Sequence, residues 1–309
     1  MTRADRFRRI YRRAHAGHPA CRADEWLTHP CRDAAGRITE RPIVWSRRNG
    51  PWHRQQVIFV GAAPGNAGGK GAGPLGAHAT RIPFGGDLAG ANLDVLLGSI
   101  GLNRNHTFLT AALNHLPAAG GGEPSLAEIT APVGDYPSSL HLLRDTVIAC
   151  GPSLLVALGN VAIRALSAAL GLEPGDDPPA RMPTLDRIRS AGIQRNRLLA
   201  WPAELAIADD FTRDWDAAWS GPHRIHVLLI THPSAQNMSP FARTETRFHT
   251  RMLEARTALR DSASRLFGWQ LPAVRPHSPT KGVYSLPEWR ELIAPRHEQL
   301  DALWRSKGI

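Results

Sequence analysis

Four short apolar runs decide most of what this chain can become. They are Val57-Ile58-Phe59-Val60, Thr107 to Leu113 (TFLTAAL), Leu154 to Leu158 (LLVAL) and Val227 to Thr231 (VLLIT). Each reads as a continuous apolar, β-rich run, so each is expected to be a strand buried on both faces. Helical patterns fall between them at Asn92 to Ile100, Leu140 to Ala149 and Val161 to Leu170, with Asn160 placed as an N-cap for the last. Strands that alternate with helices lie parallel and are covered on both sides. The expected fold is therefore α/β, a three-layer α/β/α sandwich around a central four-stranded parallel sheet.

In such a sheet the ligand sits beyond the carboxyl ends of the strands, because the intervening loops converge there. The segments following the four runs read GAAPGN, NHLPAAGGG, GN and HPSAQN. All are rich in Gly, Pro, Asn or His, which is the composition of a site rather than of filler. Around this core, residues 1–55 form a basic N-terminal extension, 56–260 the α/β domain and 261–309 a helical C-terminal extension. Glu173 to Arg224 is a Pro- and Asp-interrupted insertion, and a last helix is expected near Pro287 to Ser306.

The formal net charge of +10 is carried almost wholly by arginine, since Lys70, Lys281 and Lys307 are the only lysines. A nucleic-acid partner accounts for that balance, and so does a GC-rich coding bias. The three cysteines, Cys21, Cys31 and Cys150, form no C-x-x-C pair, which excludes a disulfide framework and a four-cysteine metal site. No apolar run approaches the roughly 20 residues of a membrane span, and the basic start lacks the apolar stretch of a signal peptide. A soluble, cytoplasmic, nucleoid-associated monomer is expected.

Several common site types fail on spacing. Gly69-Lys70 is followed by Gly71, not by the Ser or Thr of a P-loop. The G-x-G-x-x-G at Gly71, Gly73 and Gly76 contains Pro74 and opens no helix, so it is not a dinucleotide turn. There is no G-x-S-x-G elbow. His223 and His226 have no acidic or Cys partner at ligand spacing, which makes them bland surface histidines and leaves no metal site.

The strand-end motifs that remain are GAAPG at Gly61 to Gly65, PFGGD at Pro83 to Asp87, VALG at Val156 to Gly159 and HPSAQN at His232 to Asn237. In this order the chain resembles the uracil-DNA glycosylase superfamily from about Val57 to Asn237, and most closely its family 4 and family 5 branches. The resemblance implies an enzyme that extrudes a nucleotide from the duplex and reads its base in a pocket. Gly61 and Ala62 would line that pocket. Phe84 would stack on the base or, as an ordinary Phe, sit in the core.

Breaking the N-glycosidic bond leaves an oxocarbenium-like sugar and a base anion, so it needs a donor at the base and a carboxylate near the sugar. The resemblance makes His232 the donor to the uracil oxygen. Family 4 carries an acid where this chain has Ala62. Family 5 has instead an Asp after its PF-x-G segment, and Asp87 matches it; Asp87 either positions the water or caps the helix that follows. Asn114 is the nearest amide at the second strand end for reading the base edge, or else it shapes the loop. DNA contacts are assigned to Gly65, Asn66, Arg81, Gly159, Ser234, Gln236, Asn237 and Met238, with Arg243 as a further arginine of the same kind. Met238 either fills the vacated base stack or is a buried methionine.

Those branches usually hold an iron-sulfur cluster on four cysteines. Here His115 stands at one ligand position and three thiols cannot complete the set, so no cluster and no other cofactor is expected. The resemblance thus implies a cluster-free, monofunctional uracil-DNA glycosylase that leaves an abasic site. Ala62 and Ala111 leave room for other deaminated bases, and no lysine but Lys70 lies near the motifs for lyase chemistry. The expected partner is uracil-containing DNA and its abasic product. Two rivals remain: a binder of uracil-containing or abasic DNA with weak catalysis, and an unrelated α/β enzyme acting on phosphorylated substrates.

Overall fold

Alternate residues of the apolar runs face opposite helical layers, which is why their only polar side chains are the buried threonines Thr107, Thr110 and Thr231. The computed structural model describes residues 9–10, 12–14, 16, 31–32, 38–39, 57–63, 88–102, 107–113, 123–172, 181–203, 224–234, 237–238 and 247–271. Along the chain these contain β1 (Cys31–Arg32), β2 (Ile38–Thr39), β3 (Val57–Gly61), α1 (Leu88–Ser99), β4 (Phe108–Ala111), α2 (Leu126–Thr130), α3 (Ser139–Cys150) and β5 (Leu154–Leu158). There follow α4 (Asn160–Leu170), α5 (Leu185–Ser190), β6 (Leu198–Ala200), β7 (His226–Ile230) and α6 (Arg247–Phe267). β1 and β2 form a separate two-residue antiparallel ribbon.

The main sheet has the order β4-β3-β5-β7-β6. The four strands read from sequence are parallel to one another, with Val60 opposite Thr110 and Ala157, and Leu158 opposite Ile230. On one face Ile58, Val60, Leu155, Ala157, Val227 and Leu229 pack against α3 and α4. On the other, Val57, Phe59, Val156, Leu158, Leu228 and Ile230 pack against Leu93, Leu96 and Leu97 of α1 and Met252, Ala255 and Leu259 of α6. These are the three layers expected.

The expectation of four strands is corrected by β6, which pairs antiparallel with β7 and makes the sheet five-stranded and mixed. It lies inside the stretch read as an insertion. Met182, Ile188, Ile193 and Trp201 from that stretch are buried in the same core as α4. The Trp201 indole N–H donates to the Gly171 carbonyl at 2.9 Å, and its backbone N–H to Ile225 at 2.7 Å. An edge strand of three partly exposed residues offers no apolar run to read.

At the start of the chain, Ile10 and Ala14 are buried in the core. Arg13 lies 4.0 Å over the Tyr136 ring and 3.3 Å from Asp145, to which the Tyr136 hydroxyl donates at 2.8 Å. Gly134 (φ +55°) lies beneath, where a Cβ would collide with the Arg13 carbonyl.

The chain leaves β3 for β4 on one side and then crosses to β5 on the other. The strand order therefore reverses between β3 and β5. At such a point the loops diverge and open a crevice at the carboxyl ends. The Gly61-Ala62 end of β3 and the Gly159 end of β5 border it, with His232 one strand further on.

Candidate functional site

β5 and β7 stay paired one residue beyond the strands, through the Gly159 N–H donating to the Ile230 carbonyl at 2.9 Å. Gly159 has φ +90°, and a Cβ there would lie 3.1 Å from the His232 Cβ and 3.6 Å from its backbone nitrogen. A side chain at 159 would thus be strained by its backbone and crowded by the histidine. Glycine at the end of β5 is what allows the His232 loop to close over it. It also caps α4, so Asn160, expected as the N-cap, is instead the first helical residue.

The loop after β7 is organised around Ser234. Its backbone N–H donates to His232 Nδ1 at 3.2 Å. A ring nitrogen that accepts carries no proton, so the neutral imidazole bears its proton on Nε2 and is a donor there. The Ser234 carbonyl accepts from the N–H groups of Asn237 and Met238, each at 2.9 Å, and Asn237 Nδ2 donates to Ser234 Oγ at 2.9 Å. The half-buried His232 is therefore held in one tautomer by the turn that follows it.

A residue not singled out by motif completes this arrangement. Asn92 on α1 is 2% exposed and donates from Nδ2 to the Pro233 carbonyl at 2.6 Å and to the Met238 carbonyl at 3.1 Å. One amide thus clamps both ends of the loop, using both of its N–H donors. The available signal is an amide beside Leu93 in a helix whose remaining polar side chains are Asp94 and Ser99.

The other expected residues fall as follows. Gly61 is buried, pairs with Ala111, and its carbonyl accepts from Ala112 at 2.9 Å. The Ala62 carbonyl accepts from Leu113 at 2.9 Å, while its methyl is partly buried against the core. Two successive carbonyls turned to the same neighbour break strand alternation, and β3 ends there. Met238 is corrected: it is fully buried, in the layer that contains Phe59, Leu93 and Met252, so it packs the core and has no surface with which to wedge a duplex. His226 is likewise no surface histidine. It is half-buried at the start of β7, and burial lowers its pKa from the ordinary value.

Gly65, Asn66, Arg81, Phe84, Asp87, Asn114, Gln236 and Arg243 lie outside the described residues, as do His115 and Lys70. Asp87 directly precedes α1, the helix that carries Asn92, and Asn114 directly follows Leu113. Among the described residues no helix is long and apolar enough to cross a membrane.

This arrangement presents a neutral imidazole donor at the carboxyl edge of the sheet, next to the crevice between β3 and β5. Residues 49–256 match the family model described as the uracil DNA glycosylase superfamily. No curated protein matches the chain.

Proposed function

Because the chain belongs to the uracil DNA glycosylase superfamily, we propose that it hydrolyses the N-glycosidic bond of a deoxyuridine extruded from DNA and leaves an abasic site. Membership suggests glycosylase activity in general. The observation that carries the finer reading is the fixed tautomer of His232, whose Nδ1 accepts from the Ser234 N–H. A neutral imidazole donating from Nε2 suits an oxygen that gains negative charge as the base departs, and a donor already oriented needs no reorganisation during the reaction.

In this scheme Gly61 and Ala62 line the base pocket, Phe84 stacks on the base and Asn114 reads its edge. Asp87 orients the water and stabilises the sugar cation from the residue before α1. α1 then links both catalytic groups, since Asp87 precedes it and its Asn92 grips the loop of His232. Gly65, Asn66, Arg81, Ser234, Gln236 and Asn237 contact the DNA, with Gly159 shaping the same edge. The protein acts as a monomer without an iron-sulfur cluster beside the family 4 and 5 branches, a reading supported by its three cysteines. Deaminated bases larger than uracil are further substrates, because Ala62 and Ala111 occupy little space.

One feature favours a second reading. Ala62 stands where family 4 carries an acid, and a methyl group cannot activate water. A weakly catalytic binder of uracil-containing or abasic DNA is the alternative. A uracil-containing duplex incubated with the protein and then treated with alkali separates the two. Strand scission at the uracil position supports hydrolysis, whereas a retarded but uncleaved duplex favours the binder.

A further inference from the structure

The edge of the sheet beyond β7 carries a second feature on the same rim. Gln194, Arg195, Asn196 and Arg197 connect α5 to β6 and lie beside the carboxyl end of β7. The central residue is pinned from two sides. The Asn196 N–H donates to the Leu229 carbonyl at 2.7 Å, and its Nδ2 to Glu254 Oε2 on α6 at 3.4 Å. Asn196 is also the only non-glycine residue with positive φ among those described, at 60°. A backbone held in the left-handed region by its surroundings fixes how its neighbours project.

Those neighbours are Arg195 and Arg197, both exposed. Among the described residues neither side chain has a hydrogen-bond or ion-pair partner. This contrasts with Arg189, which pairs with Asp186, and Arg13, which pairs with Asp145. Two uncompensated guanidinium groups on a rigid turn suit planar, bidentate recognition of phosphate. Their place relative to the site follows from the ladder. Leu229 turns its carbonyl to Asn196 and Ile230 turns its own to Gly159, so the loop lies two strand spacings from the end of β5, roughly 10 Å. At 3.4 Å of rise per nucleotide that is about three nucleotides along a bound strand.

We propose that the Gln194 to Arg197 loop is a phosphate-binding rim, with Arg195 and Arg197 holding the backbone of the DNA strand about three nucleotides from the one that enters the crevice. The inference rests on the nucleic-acid reading above and adds to it the element that sets DNA register at this edge.

The probe is a duplex carrying a tetrahydrofuran abasic analogue, with affinity measured by anisotropy across a salt series. The wild type should weaken steeply with salt. Arg195→Ala/Arg197→Ala should lower the slope of log K against log salt by about 2, as for two lost phosphate contacts. Its melting temperature should be unchanged. Arg195→Lys/Arg197→Lys should keep most of the slope. Arg224→Ala removes an exposed arginine at the amino end of β7 and should leave the slope as it is. An unchanged slope in the double alanine variant overturns the proposal, as does a loss of equal size per charge in Arg224→Ala. A wild type that does not bind the duplex at all sinks the functional reading itself, and this inference with it.

Discussion

Asn92 makes a sharp test of how this site is built. Its amide has two N–H donors and spends both on buried carbonyls, those of Pro233 and Met238, which flank Ser234. In Asn92→Ala both bonds vanish. A net hydrogen bond contributes about 1 kcal/mol, and a carbonyl left buried without a partner costs about 1–3 kcal/mol. For two carbonyls whose loop can partly relax, the expected loss is about 2–4 kcal/mol, read as a shift in denaturant midpoint. Loop opening is the cheaper way to relieve those carbonyls, so part of the loss should appear as a less ordered His232. Every 1.36 kcal/mol taken from the closed loop lowers its closed-to-open ratio about tenfold, and the competent population falls in step once the open loop predominates. Single-turnover excision by Asn92→Ala should therefore fall at least tenfold, and DNA affinity should fall with it, because Ser234, Gln236 and Asn237 lie on the same loop. Asn92→Asp is the sharper variant, since a carboxylate would set lone pairs against both carbonyls. If Asn92→Ala unfolds within about 0.5 kcal/mol of the wild type and excises at the same rate, the clamp does not order the loop and the reasoning fails.

The remaining predictions concern the same rim and its support. Gly159→Ala must take φ +90° and place a Cβ 3.1 Å from that of His232; it should lose about 1–3 kcal/mol of stability and, by displacing the imidazole, more activity than that loss explains. Asp87→Asn should slow single-turnover excision by at least 100-fold while retaining DNA binding, and full excision by this variant would remove Asp87 from the mechanism. Burial first, and the Asp145 carboxylate second, hold the Tyr136 phenol above its ordinary pKa of 10.0. The folded state thus keeps a proton that the unfolded chain gives up, so this contribution is whole below about pH 10 and is lost above it, at up to about 1.4 kcal/mol per pH unit. Denaturant unfolding between about pH 8 and pH 11 should show that decline in the wild type and a smaller one in Tyr136→Phe.

What the sequence determined by itself was the parallel core and which residues fall at the carboxyl ends of its strands. Fully apolar runs such as Leu154 to Leu158 can only be strands covered on both faces, and the Gly, Pro and His after them mark where loops must turn tightly. Gly159 and His232 were legible for that reason. β6 was not, because an edge strand of three half-exposed residues borrows its stability from pairing with β7 rather than from its own pattern. Met238 could be read as a wedge or as core, and only packing against Phe59, Leu93 and Met252 decided that it is core. Asn92 and the turn at Asn196 were invisible for a related reason. Each acts on backbone carbonyls far away in the chain, 141 residues for Asn92 and Pro233, and a carbonyl leaves no trace in side-chain identity. Periodicity and turn chemistry are local and survive in the sequence. The hydrogen bonds that aim the imidazole, and the pairing that holds the Asn196 turn against the edge of β7, exist only once the layers have closed.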